Sequence, residues 1–369
     1  MLKFYTEKYP TLQSIPANYH LGLEKLITQQ YISPISFERL STFNYCLSNK
    51  HEYSFYLIFS QDQLDPMAFI PIQIKRIYPK GRFFKKIKNN RILYQFFSYL
   101  FQIPFFSSFT KRKWDILSTV FMGPAQEKIG PIFHPNFFLE SLSVLKKLLL
   151  DMKKFSDIDQ VNLYLDTNYY KESSHYWDSN LNVYQLEQQI VQRKYKSYYE
   201  YCKNLTHQEK KSYYLYQDFL TQKNYISFSD INKVYHYFYI ENVHKDNSNL
   251  FFDFPLFKYL DHLKQYPHNI QETKFIFFED AGFISACIIF IKAKDNSANY
   301  FCNIQIIDET RITNIFKSYL DYNFLLYLSM KIFYEDFIGN KLIYIGSTDI
   351  STLNAKTLLV NTSFEQANL

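Results

Sequence analysis

Basic side chains are concentrated in one stretch of the sequence, and this is the clearest spacing of charged groups along the chain. No acidic residue occurs from Pro66 to Trp114, although the whole chain has 41 basic and 35 acidic residues. An uncharged run from Ile92 to Phe109, rich in phenylalanine and tyrosine, lies between two basic clusters. This arrangement predicts contact with an anionic surface. The eleven basic residues are Lys75, Arg76, Lys80, Arg82, Lys85, Lys86, Lys88, Arg91, Lys111, Arg112 and Lys113.

Three interpretations of the segment 75–113 are open. In the first, its cations attract anionic lipid head groups while the aromatic run lies at the membrane interface, because Gln95, Gln102 and Pro104 disfavour a spanning helix. In the second, the cations bind phosphates of a nucleotide or of a nucleic acid such as tRNA, and the aromatic rings stack on unpaired bases. In the third, the segment is a long hairpin whose aromatic side chains are buried against the domain.

The cysteines and histidines have no spacing for metal binding or covalent catalysis. Cys46, Cys202, Cys287 and Cys302 form no CxxC pair, and no HExxH motif occurs among the nine histidines. We therefore expect no metal site, no disulfide framework and no cysteine nucleophile. The N-terminal MLKFYTEKYP lacks the pattern of a secretory signal, which predicts a reducing, cytoplasmic location, with peripheral attachment in the membrane interpretation.

Glycine is scarce, with 7 residues in 369, whereas aromatic residues make up 20%. Loops that cradle phosphates need glycine because their backbone adopts positive φ and approaches the phosphates closely. Neither GxGxxG nor GxxxxGK[ST] occurs in the sequence. This absence argues against Rossmann dehydrogenases, P-loop nucleotide hydrolases and protein kinases.

Length and periodicity predict two folded domains. A chain of 369 residues with 47% apolar and 21% charged residues is typical of about two globular domains, and it has no apolar run long enough for a multi-pass membrane protein. In the first half, strand patterns, a helix with one apolar stripe and a further strand predict an α+β domain with one mixed sheet. The strands are 53–60, 67–74, 117–122 and 161–165, and the stripe is Phe138, Leu142, Leu145, Leu149 and Met152.

The second half begins after a polar, turn-rich stretch at 171–182, so the predicted domains are 1–182 and 183–369. A half-buried strand at 183–191 is predicted to be followed by three helices, a hairpin, a strand, a helix, a strand and a final helix. Their predicted ranges are 197–221, 231–244 and 250–264 for the helices, 274–278 and 282–291 for the hairpin, and 300–307, 323–336, 341–345 and 351–359 for the rest.

Four motifs of the second half resemble the motifs of a known protein family. SYYEYCKNLTHQEKK is followed by KFIFFEDAGFISACIIFIKA, then by NYFCNIQIID, and then by IYIGSTDISTLNAKTLLV with Gly346 and Lys356. In this order the motifs resemble the two-domain acyltransferases of the GNAT superfamily, which include cellulose-biosynthesis-type acetyltransferases and FemAB-like transferases. The resemblance implies an α+β fold of tandem GNAT-like domains, each a mixed β-sheet flanked by helices. The first motif is carried by Tyr198, Tyr201, Leu205, Lys210 and Lys211.

The resemblance also implies where an acyl donor binds. In GNAT sheets two parallel strands splay apart, and the free backbone groups of one strand pair with the pantetheine arm of acyl-coenzyme A. Here that strand is 300–307 and its neighbour is 341–345, while the diphosphate lies at the N-terminus of the next helix, where free N–H groups favour anions. The connection to that helix lacks the glycine-rich loop of most coenzyme A-dependent members. The implied binding residues are Ile304, Gln305, Ile306, Arg311, Lys317, Tyr322, Asn323 and Phe324.

The same resemblance implies direct attack of an amine on the donor carbonyl, which needs a base, an oxyanion stabiliser and an acid. Asp308 or Glu309, at the end of the donor strand, is the expected base. Lys356 is expected to stabilise negative charge or hold a substrate phosphate, and Tyr300 is expected to be the acid.

Two functions from different classes follow. The first is an N-acyltransferase that transfers an acyl group from acyl-coenzyme A to an amine on an envelope sugar, lipid or peptide, with a FemAB-like transferase that uses aminoacyl-tRNA as its variant. In it, the second half carries the donor site and the first half helps to form the acceptor cleft. The second is a catalytically silent module of the same fold that binds an anionic membrane or nucleic acid through 75–113.

Overall fold

Apolar and aromatic runs of the sequence form β-strands, and amphipathic segments form the helices that cover them. The computed structural model describes residues 3–30, 36–47, 52–62, 64–77, 114–123, 128–156, 158–173, 180–192, 194–207, 226–239, 270–280, 283–293, 299–306, 322–336 and 342–349, with single residues 93, 95, 96, 99, 176, 210, 213, 214 and 258. Among these residues, no helix has the length and apolar character needed to cross a membrane.

The strands of the described part are β1 (Phe4–Tyr9), β2 (Glu52–Ser60), β3 (Ala68–Ile77), β4 (Trp114–Ser118), β5 (Phe121–Met122), β6 (Lys128–Ile129), β7 (Ile132–Phe133), β8 (Gln160–Asp166), β9 (Asn182–Gln192), β10 (Ile226–Phe228), β11 (Ile270–Asp280), β12 (Phe283–Ala293), β13 (Asn299–Ile306) and β14 (Leu342–Asp349). Its helices are α1 (His20–Gln30), α2 (Phe37–Cys46), α3 (Phe138–Phe155), α4 (Thr167–Glu172), α5 (Tyr198–Lys203), α6 (Ile231–Tyr239) and α7 (Tyr322–Glu335).

The chain divides into two compact units. Unit 1 comprises residues 1–26, 48–121 and 129–185, and unit 2 comprises residues 27–47, 122–128 and 186–369. β9 contributes its first residues to unit 1 and its later residues to unit 2. The division into domains 1–182 and 183–369 stays a prediction.

Unit 1 contains a mixed sheet. β1, β2, β3 and β4 are successive antiparallel neighbours, and β4 pairs in parallel with β8. β8 is followed in the sheet by β9, and the short strand β7 pairs with β3. The hairpin predicted from 53–60 and 67–74 is β2 and β3, and the predicted strand 161–165 is β8.

Helix α3 covers this sheet through one apolar stripe. Phe138, Leu142, Leu145 and Leu149 are buried in a core that includes Val161 and Leu163 of β8, and Met152 packs against it. Residues at this spacing share one side of a helix, so the stripe buries together. The predicted stripe is therefore confirmed.

Unit 2 also contains a mixed sheet. β10, β11, β12 and β13 are antiparallel neighbours, β13 pairs in parallel with β14, and β14 pairs antiparallel with the later part of β9. The predicted hairpin is β11 and β12, and the predicted strands 300–307 and 341–345 are β13 and β14. β14 continues to Asp349, which is four residues beyond the prediction.

Helix α7 connects β13 to β14 and is buried on several sides. Tyr327, Leu328, Phe333 and Tyr334 are among its buried residues. It contacts both β13 and α5. A helix that is apolar around most of its circumference is buried within a domain, and its predicted range of 323–336 agrees with the structure.

The predicted long helix 197–221 is wrong in one respect, because the chain breaks it after α5. Ser197 caps α5 by accepting a hydrogen bond from the Glu200 N–H at 3.2 Å, and α5 ends at Asn204. A helical turn begins again at Thr206, whose carbonyl accepts from the Lys210 N–H at 2.8 Å. Leu205, buried at the break, anchors the chain between the two helical stretches.

The predicted strand 117–122 also differs from the structure. β4 starts at Trp114 and ends at Ser118, and β5 forms a separate two-stranded pair with β6. The chain leaves the main sheet at Thr119. The predicted helices 250–264 and 351–359 lie outside the described residues, apart from Lys258, which is helical.

Candidate functional site

The two parallel strands of unit 2 pair briefly and then separate. Residues 299–301 of β13 lie opposite residues 342–344 of β14. Beyond this point β13 stays paired with β12 as far as Ile306, and β14 stays paired with β9 as far as Asp349. Within the described ladders, residues 302–306 of β13 therefore have a strand partner on one side only. We call the other side of these residues the open edge, where backbone N–H and C=O groups need partners.

A β-bulge in β14 accompanies the separation. In the pairing of β14 with β9, Tyr344 lies opposite Ile190 and Gly346 lies opposite Gln189, so the register shifts at Ile345. A bulge bends the strand and increases its twist, and this bulge begins at the last residue of β14 that pairs with β13. The bend therefore explains why β14 follows β9 and leaves β13.

The N-terminus of α7 lies near the open edge. Because β13 and β14 are parallel neighbours, α7 runs back along the sheet between them. The Ser329 hydroxyl of α7 hydrogen-bonds to the Cys302 thiol of β13. From that contact, β13 extends about 13 Å to Ile306 and α7 extends about 10 Å back to Tyr322. The free N–H groups at the start of α7 are thus level with the end of the open edge.

The structure brings together only part of the predicted site. Ile304, Gln305 and Ile306 lie on the open edge of β13, and Tyr300 lies in the paired part of that strand. The next group, Tyr322, Asn323 and Phe324, forms the first turn of α7. The remaining predicted residues lie outside the described residues: Asp308, Glu309, Arg311, Lys317 and Lys356. Each of the predicted roles stays a prediction.

Two features near this site depend on contacts between residues that are far apart in the sequence. The bulge at Ile345 depends on pairing with β9, about 150 residues earlier in the chain. The contact of Cys302 with Ser329 depends on how α7 packs on β13. A glycine inside a strand marks a bulge or the close approach of a ligand, so Gly346 was the one hint that the sequence offered.

Tyrosines surround the Cys202 thiol beside α7. Tyr213 hydrogen-bonds to this thiol, Tyr198 lies close to it, and Tyr201 stacks on Tyr334 of α7 at 5.3 Å between ring centroids. Burial raises the pKa of Cys202 and raises that of Tyr213 to about 12. Burial also raises the pKa of Cys302 to about 12. These groups are neutral near pH 7, so neither thiol is activated as a nucleophile.

The raised pKa of Cys202 leads to a prediction about thiol labelling. Cys46, Cys287 and Cys302 are buried and Cys202 is partly exposed. We expect an aromatic disulfide reagent to label only Cys202 in the native protein, slowly at pH 8 and faster as the pH rises past 9, because the thiolate is the reactive form. Cys202→Ser should abolish this labelling, while unfolding in guanidinium should expose all four thiols. Fast labelling at pH 7 would contradict the assignment.

Only part of the basic segment is described. Lys75 and Arg76 belong to β3, and Arg76 pairs with Glu52 at 2.9 Å and Asp115 at 3.7 Å. Arg76 is therefore compensated by two carboxylates and contributes little to an anionic contact. Residues Leu93, Gln95, Phe96 and Tyr99 are helical and exposed, with 58% of Phe96 and 72% of Tyr99 accessible. The other residues of 78–113 lie outside the described residues.

Potential metal ligands do not cluster in the part of the chain that the structure describes. There, His, Cys, Asp and Glu side chains form no group of three or more that would hold an ion.

Comparisons with known proteins find similarity among solved structures. No protein-family model matches the sequence, and no curated protein matches it. Among solved structures, the chain is similar to a tandem GNAT protein from the clavulanic acid biosynthesis pathway, solved without AcCoA, with 6% identity and a TM-score of 0.47 over 97% of this chain and 94% of that one. The fold assignment rests on the strand pairing itself. That pairing confirms the expected α+β class, in which two units each contain a mixed sheet with helices.

Proposed function

We propose that the protein is an acyltransferase that moves an acyl group from a coenzyme A thioester to an amine. The observation that carries this proposal is the open edge of β13 beside the N-terminus of α7. A thioester donor of this kind has amide groups along its pantetheine arm and a diphosphate at its far end. The amide groups need an unpaired strand edge and the diphosphate needs an anion site, and unit 2 supplies both next to each other.

The reaction we propose is direct attack of a neutral amine on the thioester carbonyl. The amine nitrogen forms the new bond to the carbonyl carbon, the carbon–sulfur bond breaks, and the thiol leaves with a proton. The predicted residues Asp308 or Glu309 would take the amine proton, Tyr300 would return one to the sulfur, and Lys356 would stabilise the oxyanion. The raised pKa values of Cys202 and Cys302 support a route without a thiol intermediate.

The acceptor class and the subfamily are part of the proposal. We propose an amine on an envelope sugar, lipid or peptide as acceptor, as in the cellulose-biosynthesis-type and FemAB-like transferases. The alternative donor is aminoacyl-tRNA. The absence of glycine from residues 307–321 favours that alternative, since a glycine-rich loop around the diphosphate is missing.

Isothermal titration tests the donor proposal directly. The purified full chain is titrated with coenzyme A, acetyl-coenzyme A and palmitoyl-coenzyme A. Saturable binding of any of them supports a working donor site, and competition by ADP would indicate that the diphosphate is part of the bound group. If none binds up to millimolar concentration, coenzyme A chemistry is excluded, and titration with a charged tRNA tests the alternative donor.

We also propose that the segment 78–113 brings the protein to an anionic membrane surface. It carries nine basic residues and no acidic residue, whereas the rest of the chain has 32 basic and 35 acidic residues. The exposed helical residues Leu93, Phe96 and Tyr99 supply apolar and aromatic side chains for the interface. Because the cations flank the aromatic run instead of alternating with it, the pattern favours a lipid surface over a groove that follows a nucleic acid backbone.

A further inference from the structure

We propose that the chain binds one donor only, in unit 2, because unit 1 contains the same parallel strand pair with its gap closed. This inference rests on the proposed function. In unit 1, residues 116–118 of β4 lie opposite residues 160–162 of β8, and α3 connects the two strands. Unit 1 therefore has the elements that form the open edge in unit 2, in the same order along the chain.

The gap of unit 1 is closed by the side chain of Thr119. β4 ends at Ser118, and the next residue, Thr119, donates its N–H to the carbonyl of Asn162 at 2.9 Å. The N–H of Tyr164, which lies further along β8, donates to the Thr119 hydroxyl at 3.0 Å. A hydroxyl thus takes the place of the strand carbonyl that β4 no longer supplies, and this N–H of β8 is satisfied from within the protein.

The backbone that follows β4 is inaccessible. Thr119 and Phe121 are fully buried and Val120 is 6% exposed, as whole residues. Phe121 packs edge-on against the rings of Tyr53 and Phe55 at 5.7 and 5.6 Å. A pantetheine arm would have to displace this packing to reach the backbone of residues 119–121. The chain here has left the sheet for the core, whereas β13 stays in its sheet to Ile306.

The start of α3 is covered on one side, at its first residue. Phe138, its first residue, stacks on Tyr169 of α4 at 4.4 Å, and the Tyr169 hydroxyl donates to the carbonyl of Phe133 at 2.8 Å. Burial, together with the nearby carboxylates of Asp166 and Glu172, raises the pKa of Tyr169 to about 12. A diphosphate at this helix end would meet an aromatic stack and two negative charges. The strand edge of a donor site is therefore closed in unit 1, and the start of the corresponding helix is unfavourable for an anion.

Counting bound donors with a matched pair of variants tests the inference. Equilibrium dialysis with radiolabelled acetyl-coenzyme A gives the number bound per full chain. Asn323→Glu places a negative charge on the second residue of α7, and Leu139→Glu places the same charge on the second residue of α3, where the side chain is 45% exposed and tolerates it. We expect one donor per chain, weakened about 10- to 100-fold by Asn323→Glu and unchanged by Leu139→Glu.

The other outcomes separate this inference from the proposed function. Two bound donors per chain would overturn the single site in unit 2, although coenzyme A binding would stand. The same holds if Leu139→Glu weakens donor binding and Asn323→Glu does not. No binding by the wild-type chain would overturn the donor proposal as well. Thermal melting of each variant shows that a loss of binding is not a loss of folding.

Discussion

Asn323→Glu is expected to raise the dissociation constant for acetyl-coenzyme A by about 10- to 100-fold and to leave the protein slightly more stable. Asn323 is the second residue of α7, next to the open edge of β13. A carboxylate there repels the donor diphosphate, and at low ionic strength such repulsion between nearby charges costs about 1–3 kcal/mol. The same carboxylate complements the helix dipole, which adds about 0.3–1 kcal/mol to the free energy of unfolding.

A charge at position 323 should change donor binding and the free energy of unfolding in opposite directions. Asn323→Lys should tighten donor binding and lower the free energy of unfolding, and Asn323→Gln should change both quantities little. Titration calorimetry and urea denaturation measure the two quantities on the same samples. High salt should reduce the difference in binding, because it screens the charges. If the glutamate and lysine variants bind the donor equally well, the start of α7 is not part of the donor site.

Reversing three charges in the segment 78–113 is expected to weaken binding to anionic vesicles by about 100-fold, since each cation near such a surface contributes about 1 kcal/mol. The variant is Lys85→Glu, Lys86→Glu and Lys88→Glu. Co-sedimentation with vesicles of phosphatidylserine and phosphatidylcholine measures it, and vesicles of phosphatidylcholine alone should bind weakly. Phe96→Ser with Tyr99→Ser should also reduce binding, because both side chains are exposed and aromatic.

A control with the same change in net charge distinguishes a local contact from a general charge effect. Lys194, Lys196 and Lys203 are exposed lysines of unit 2, and their reversal to glutamate should leave vesicle binding nearly unchanged. If both triple variants lose binding equally, the segment is not the contact. If the wild type binds tRNA and ignores vesicles, the nucleic acid interpretation replaces the membrane. An enzyme with a soluble acceptor keeps its turnover in the Lys85, Lys86 and Lys88 variant, whereas a silent module loses its only function.

Periodicity in the sequence was enough to predict most of the elements that position the site. The hairpin of β11 and β12, the strands β13 and β14, and α7 were all expected close to where they lie. These elements could be predicted because the apolar residues of each one recur with the period of a strand or of a helix. This pattern is a local property of the sequence. β1, α1 and α2 went unpredicted, although Leu23, Leu26 and Ile27 of α1 are buried at helical spacing.

Elements whose ends depend on tertiary contacts were predicted less well. The helix predicted at 197–221 continued through Asn204 because nothing in its apolar spacing marks a break, yet burial of Leu205 places the break there. The strand predicted at 117–122 ran through Thr119 for the same reason. Thr119 is β-branched and reads as a strand residue, but its hydroxyl serves Tyr164 of another strand.

The sequence by itself determined the α+β class, the order of strands and helices around β13, and the basic segment. These follow from composition, from spacing and from charge along the chain, which need no knowledge of distant partners. Only the tertiary structure decided that β13 and β14 separate at a bulge, that α7 starts level with the open edge, and that Thr119 closes the gap of unit 1. Each of these depends on pairing between residues far apart in the chain, and such pairing is fixed only when the sheet is formed.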